Sequence, residues 1–150
     1  MRRAPFAVLL VLVGFAILTG LSWMRRAHEQ VPWRTDYAAA ARESRETGKP
    51  MLLDFTAEWC GPCQDMRRTT WSDPAVAQAL RGYVPVQIDL DTHADLASRF
   101  GVSAIPHMTV LNADGTVISA EEGELSPEQF REWLATVPPD TATHPATAAQ

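Results

Sequence analysis

The 150-residue sequence holds only two cysteines, Cys60 and Cys63, and a single lysine, Lys49. Two cysteines exclude a disulfide framework of the kind that staples small secreted domains. A second C-x-x-C is absent, so a structural zinc site would have to recruit His93 and His107 from distant positions. No metal is expected. Basic residues are scarce as well. Setting aside Arg2, Arg3, Arg25 and Arg26, which flank the first apolar segment, nine remain against eighteen acidic ones. Phosphate binding needs clustered Lys and Arg, and no basic stripe is present, so nucleic acid is not an expected partner. Internal repeats are lacking, and the length suits one domain with short extras. Apolar content is not lacking: at 46% it is enough for a real core.

The chemistry concentrates in one stretch. Residues 51–56 are an apolar run with one acid inside it, Asp54. The turn that follows carries Cys60-Gly61-Pro62-Cys63, and a helical pattern comes after it. Thiols three positions apart at a helix entrance lie on one face, close enough for a reversible disulfide. The first sulfur sits where free backbone N–H groups and the positive helix end favour thiolate, so Cys60 is the expected nucleophile. Cys63, a turn further in, is the expected resolving thiol. Pro62 suits the first helical turn, where its missing N–H costs nothing. Gly61 is small and is expected to leave the Cys60 sulfur uncovered. Trp59 abuts the nucleophile, and its large indole with one donor suits a wall of a substrate groove; plain core packing is the alternative.

Asp54 is the oddity of its run. In strand alternation it points with Leu52 and Thr56, away from Met51, Leu53 and Phe55. A carboxyl there is costly unless protonated, hydrated or paired. Two readings stand: a surface acid on an edge strand, or a buried acid with a raised pKa that takes the Cys63 proton through water.

Around this stretch the chain divides into four parts. Residues 5–24 carry no charge and reach roughly 30 Å as a helix, the thickness of a bilayer core. They form an expected transmembrane anchor within an N-terminal segment 1–26; a cleaved signal peptide is the alternative, with a poor cleavage motif near Ser22. Residues 27–34 read as a polar linker, 35–137 as the folded domain, and 138–150 as a disordered Thr/Ala-rich tail. Within the domain, Thr35 or Asp36 caps a first helix that Gly48 ends. The strand 51–56 and the cysteine helix follow, and Ser72 or Asp73 caps a short helix ending at Gly82. A strand then runs over 84–90, and Thr92 caps a helix that Gly101 stops. Strands 108–111 and 116–120 form a hairpin, with Glu121-Glu122 as a solvated rim. Ser126-Pro127-Glu128-Gln129 is a capping box opening the last helix.

The run Asp54-Phe55-x-Ala57-Glu58-Trp59-Cys60-Gly61-Pro62-Cys63 resembles the active-site signature of the thioredoxin family over about residues 51–134. The resemblance implies an α/β thioredoxin fold, a mixed central sheet flanked by helices, here behind an N-terminal transmembrane helix. It implies proton transfer at Asp54 and a cis proline at Pro106 that brings the Ile105 backbone alongside Cys60 to pair with an extended substrate. A trans Pro106 that merely begins a strand is the alternative. Gly123 matches the glycine that keeps the groove floor low. His107 departs from the family, where a smaller or apolar residue is commoner. It reads as a half-exposed strand histidine, with protonation of a leaving thiolate as the functional alternative. The family's usual lysine near the aspartate is also missing from 84–89. A Thr-x-x-Ser-Asp-Pro-x-Val pattern after the cysteines is similar to the C-terminal domain of the DsbD-type membrane reductases.

These features imply a membrane-anchored thiol–disulfide oxidoreductase with no cofactor beyond the Cys60–Cys63 disulfide. The Gly-Pro pair and Ile105 resemble reducing thioredoxins, which lie about 150 mV, or roughly 7 kcal/mol for two electrons, from strong oxidants. The implied partners are disulfide-containing envelope proteins, or the haem-binding cysteines of apocytochrome c, and a membrane electron donor of the DsbD or CcdA type. The catalytic domain would lie on the periplasmic side of the inner membrane. An oxidase or isomerase of the same fold, or a tethered client-binding module without turnover, are the alternatives.

Overall fold

The computed structural model describes residues 30–138. The anchor expected at 5–24 and all but the first residue of the expected tail lie outside them. Among the described residues no helix is long and apolar enough to cross a membrane.

Four strands build one mixed sheet: β1 (Met51–Thr56), β2 (Val84–Asp89), β3 (His107–Leu111) and β4 (Val117–Glu122), in the order β2-β1-β3-β4. β1 pairs in parallel with β2 and antiparallel with β3, and β3 and β4 form the hairpin. Every residue of β1 is buried, as an apolar strand between two helical layers should be. Leu52 packs with Met66, Trp71, Val76 and Phe130 on one face. Met51, Leu53 and Phe55 pack on the other, against Ala40 and Leu96. The period-two reading of β1 therefore assigns its two faces correctly.

The helices are α1 (Tyr37–Thr47), α2 (Gly61–Arg68), α3 (Pro74–Ala79), α4 (Ala94–Phe100) and α5 (Pro127–Thr136). Asp36 caps α1 by accepting from the Ala39 N–H, and Gly48 closes it with a left-handed φ of 71°. Asp73 accepts from the N–H groups of Ala75 and Val76 at the start of α3. The capping box at Ser126 and Gln129 is present in both directions. At α4 the expectation fails by one position. His93, not Thr92, is the cap residue, and the Thr92 hydroxyl bonds back to the Asp89 carbonyl instead.

Two further expectations are corrected. Residues 30–34, read as the end of a polar linker, dock on the domain. Val31 is buried in the core, Trp33 meets Trp71 edge-on at 5.1 Å, and Arg34 bridges in parallel to Val86. The reason is visible in β2, whose outer edge would otherwise expose unpaired backbone. The Gln87 N–H donates to the Arg34 carbonyl, and the Arg34 N–H donates to that of Pro85. Pro85 shares the parity of Gln87, so its missing N–H falls on this outer edge and costs no bond to β1. The Arg34 guanidinium also grips Glu43 at 2.5 and 2.7 Å and holds that carboxyl below its ordinary range. β4 runs two residues past its expected end, so Glu121 and Glu122 pair with Met108 and His107, while Glu122 stays exposed as the rim reading expects.

Trp71 joins the halves of the larger core. Its ring lies edge-on to Trp33 and, at 4.9 Å, to Phe130 of α5, and it is 1% exposed. Trp71→Ala should therefore lower unfolding stability by about 3–5 kcal/mol, measured by urea denaturation.

Candidate active site

The chain leaves the buried end of β1 through Ala57, Glu58 and Trp59 and enters α2 at Gly61. Cys60 is the N-cap, with extended backbone, and its Sγ stands 3.2 Å from the Cys63 N–H that it accepts. Pro62 fills the first helical turn, where no N–H is needed. The two sulfurs are bonded to each other, with Cα atoms 5.3 Å apart. When the bond is reduced, the same N–H and the positive end of α2 stabilise charge on Cys60. Cys60 and Cys63 are each 4% exposed and pack with Ala57 and Ile105. Gly61 thus does not leave Cys60 uncovered as expected, although nothing lies within 4 Å of where its Cβ would be. The cover over Cys60 comes from Ala57 and Ile105.

Ile105 and Pro106 face the disulfide from the opposite side. The Ile105–Pro106 bond is cis, and the Ile105 carbonyl lies 3.8 Å from Cys60 Sγ. The Pro106 carbonyl accepts from the Gly123 N–H at 2.8 Å, which ties this loop to the end of β4. Gly123 has φ 100°, a left-handed conformation that side chains resist. Its requirement is conformational, and the space where a Cβ would stand is open.

Asp54 is buried, at 2% exposure, on the face shared with Leu52. The edge-strand reading is excluded, since β1 is central in the sheet. Leu52 packs in one cluster with Met66 of α2. Asp54 lies two residues beyond Leu52 on β1, and Cys63 one turn before Met66 on α2. Gln87, the register partner of Asp54 on β2, donates its amide to Asp54 Oδ2 at 3.1 Å.

Trp59 is 67% exposed, which rules out core packing, and its Nε1 donates to Asp91 at 3.1 Å. A large apolar face is thus held still beside the disulfide. His107 departs from its half-exposed reading: it is buried, edge-on to Phe55 at 6.0 Å, with Nδ1 3.7 Å from Glu122. Direct pairing with Phe55 across β1 puts its ring on the α1 and α4 side of the sheet, away from Asp54. Residues missed in the sequence are Gln87, Asp91 and Glu122. Only strand register and loop geometry bring them to Asp54, Trp59 and His107, and no spacing signals them.

A family model described as thioredoxin-like matches residues 32–113, more than half of the chain. The chain belongs to the thioredoxin-like family. Among relatives of this thioredoxin-like protein, the thiol:disulfide interchange protein DsbD of Ralstonia nicotianae is 34% identical over 106 residues, 65% of this chain and 17% of the relative. DsbD of Yersinia pestis is 31% identical over 97 residues, 61% of this chain and 16% of the relative. The chain thus spans about a sixth of the length of the curated relatives it matches. Among solved structures, the oxidised C-terminal domain of Neisseria meningitidis DsbD has 29% identity and a TM-score of 0.61, with 70% of this chain covering 98% of that one. A thioredoxin from Thermus thermophilus has 25% identity and a TM-score of 0.65, with coverage of 72% and 87%.

An exposed indole contributes little to folding but much to a protein-facing surface. Trp59→Ala should change unfolding stability by less than about 1 kcal/mol. It should raise the KM for a reduced or oxidised protein client while leaving reaction with a small aliphatic disulfide nearly unchanged.

Proposed function

We propose that this chain is a thiol–disulfide oxidoreductase that reduces disulfides of envelope proteins. The observation that carries the reading is the Cys60–Cys63 disulfide at the start of α2, with the Cys63 N–H aimed at Cys60 Sγ and the Ile105 carbonyl across from it. The reduced Cys60 thiolate attacks one sulfur of a substrate disulfide, and the other substrate sulfur leaves as a thiolate. Asp54 takes the Cys63 proton, through water. The Cys63 sulfur then attacks Cys60 in the mixed disulfide and expels the second substrate sulfur. Two electrons have passed to the substrate, and the protein is left oxidised. The Ile105 backbone offers an edge along which an extended substrate adds as a strand, beside the exposed Trp59 indole.

The reducing direction is supported by Gly61-Pro62 between the cysteines and by Ile105 before the cis proline. Residues 5–24 anchor the chain in the inner membrane and hold the domain on the periplasmic side. A reductase so placed must be recharged across the membrane, and a donor of the DsbD or CcdA type meets that need. Similarity to the C-terminal domain of DsbD favours the same chemistry over simple client binding.

Turnover of insulin disulfides with a chemical reductant tests this directly. The wild type should accelerate reduction, Cys60→Ser should abolish it, and Cys63→Ser should accumulate a mixed disulfide with the client. A redox potential near −270 mV, the thioredoxin range, is expected; one near −120 mV would reverse the direction. Equal client binding by the wild type and Cys60→Ser with reduction by neither would instead mark a binding module.

A further inference from the structure

Asp54 is enclosed, yet a carboxyl that accepts a proton in each turnover must lose it again to solvent. A cavity adjoins its hydrogen-bond partner Gln87. About 270 Å³ in volume, it lies between the strap that precedes α1 and the ends of β1 and β2, and Gln87 and Thr56 form part of its wall. At about 30 Å³ per water it has room for several. Most of the residues around it carry polar side chains that can hold water. The Gln87 side chain therefore has two sides: its amide donates to Asp54 Oδ2, and its surface borders the cavity. Its backbone is locked as well, because the Gln87 N–H donates to the Arg34 carbonyl at 2.8 Å.

From this arrangement we infer that Gln87 is a positioning residue for the resolving step, holding Asp54 at the inner end of a hydrated path through which its proton exchanges with bulk water. The inference rests on the proposed role of Asp54. In the resolving step the Cys63 S–H bond breaks and the proton passes to the Asp54 carboxylate. The Cys63 sulfur bonds to Cys60 as the Cys60–substrate bond breaks, and the substrate sulfur leaves as a thiolate. The proton on Asp54 then transfers to water in the cavity. Donation by the Gln87 amide favours the charged carboxylate that must receive the next proton. The other titratable groups around this path are Glu58, Arg67, Asp89 and His93. Arg67 pairs with Glu58 at 3.1 Å, and the Asp89 carboxylate accepts from the Asp91 N–H. From β3 the register partner of Asp54 is Met108, which does not titrate.

The test isolates the resolving step from any physiological client. Cys60 is charged as its mixed disulfide with 5-thio-2-nitrobenzoate, and release of the coloured thiolate by Cys63 is followed by stopped flow across pH. Gln87→Met keeps the length of the side chain and removes the amide. It should slow release at pH 7 about five- to tenfold and move the midpoint of the pH–rate profile upward by about one unit, one unit being tenfold in ionised fraction. In an Asp54→Asn background the same substitution should have no effect, because the coupling runs through Asp54. Unchanged release and midpoint in Gln87→Met, or an equal slowing in both backgrounds, would overturn the inference. Gln87→Asn, whose shorter amide cannot span the same gap, runs the same cycle if the methionine variant does not fold. Insulin turnover is scored separately, so a protein that releases the thiolate normally but reduces no client would refute the reductase reading alone.

Discussion

Strand β1 is hydrogen-bonded along both edges and covered on both faces, and each part of the site is placed by reference to it. That constraint buries Asp54 on the one side and Phe55 on the other. It also sets where the chain emerges, so that the next turn delivers Cys60 to the start of α2. A buried acid in such a strand is tolerated only with a partner. The parallel register with β2 supplies one, since Asp54 and Gln87 face the same way at the same level. Loss of the strand's burial would therefore cost the stability of two cores and the chemistry of the site together.

The site is assembled from two directions. From one side α2 presents a sulfur at its N-terminus, with a backbone N–H already aimed at it. From the other, the Ile105–Pro106 loop closes over the disulfide and is tied back through the Gly123 N–H. Neither arm depends on a charged side chain near Cys60. In the proposed mechanism, activation of Cys60 comes from backbone dipoles, which do not titrate. In the same proposal the acid–base work falls to Asp54, held by the Gln87 amide. The proposed chemistry is thereby divided between different groups, the helix terminus for attack on the client and the buried carboxyl for its release.

The strap at residues 30–34 adds a second function to what reads as a linker. By covering the outer edge of β2 it removes an exposed strand edge, and by bonding to the Gln87 backbone it braces the wall behind Asp54. Val31 and Trp33 explain why it stays there, since both contribute apolar area to the core around Trp71. A short polar-looking segment with a few large apolar residues is easily misread, because burial of two side chains suffices to dock it once a groove exists.

Local pattern determined much of this protein. The helix caps at Asp36, Asp73 and Ser126, the left-handed exits at Gly48 and Gly101, the two faces of β1 and the pairing of Cys60 with Cys63 all follow from neighbours within a few residues, where propensity and spacing act directly. The cis bond at Pro106 was legible only through family resemblance. Tertiary structure alone decided the rest: the Gln87–Asp54 bond, the Asp91 hold on Trp59, the burial of His107 against Phe55 and the docking of residues 30–34. Each joins segments distant in sequence, and the register that joins them is set by packing of whole layers. No short stretch of chain contains that information.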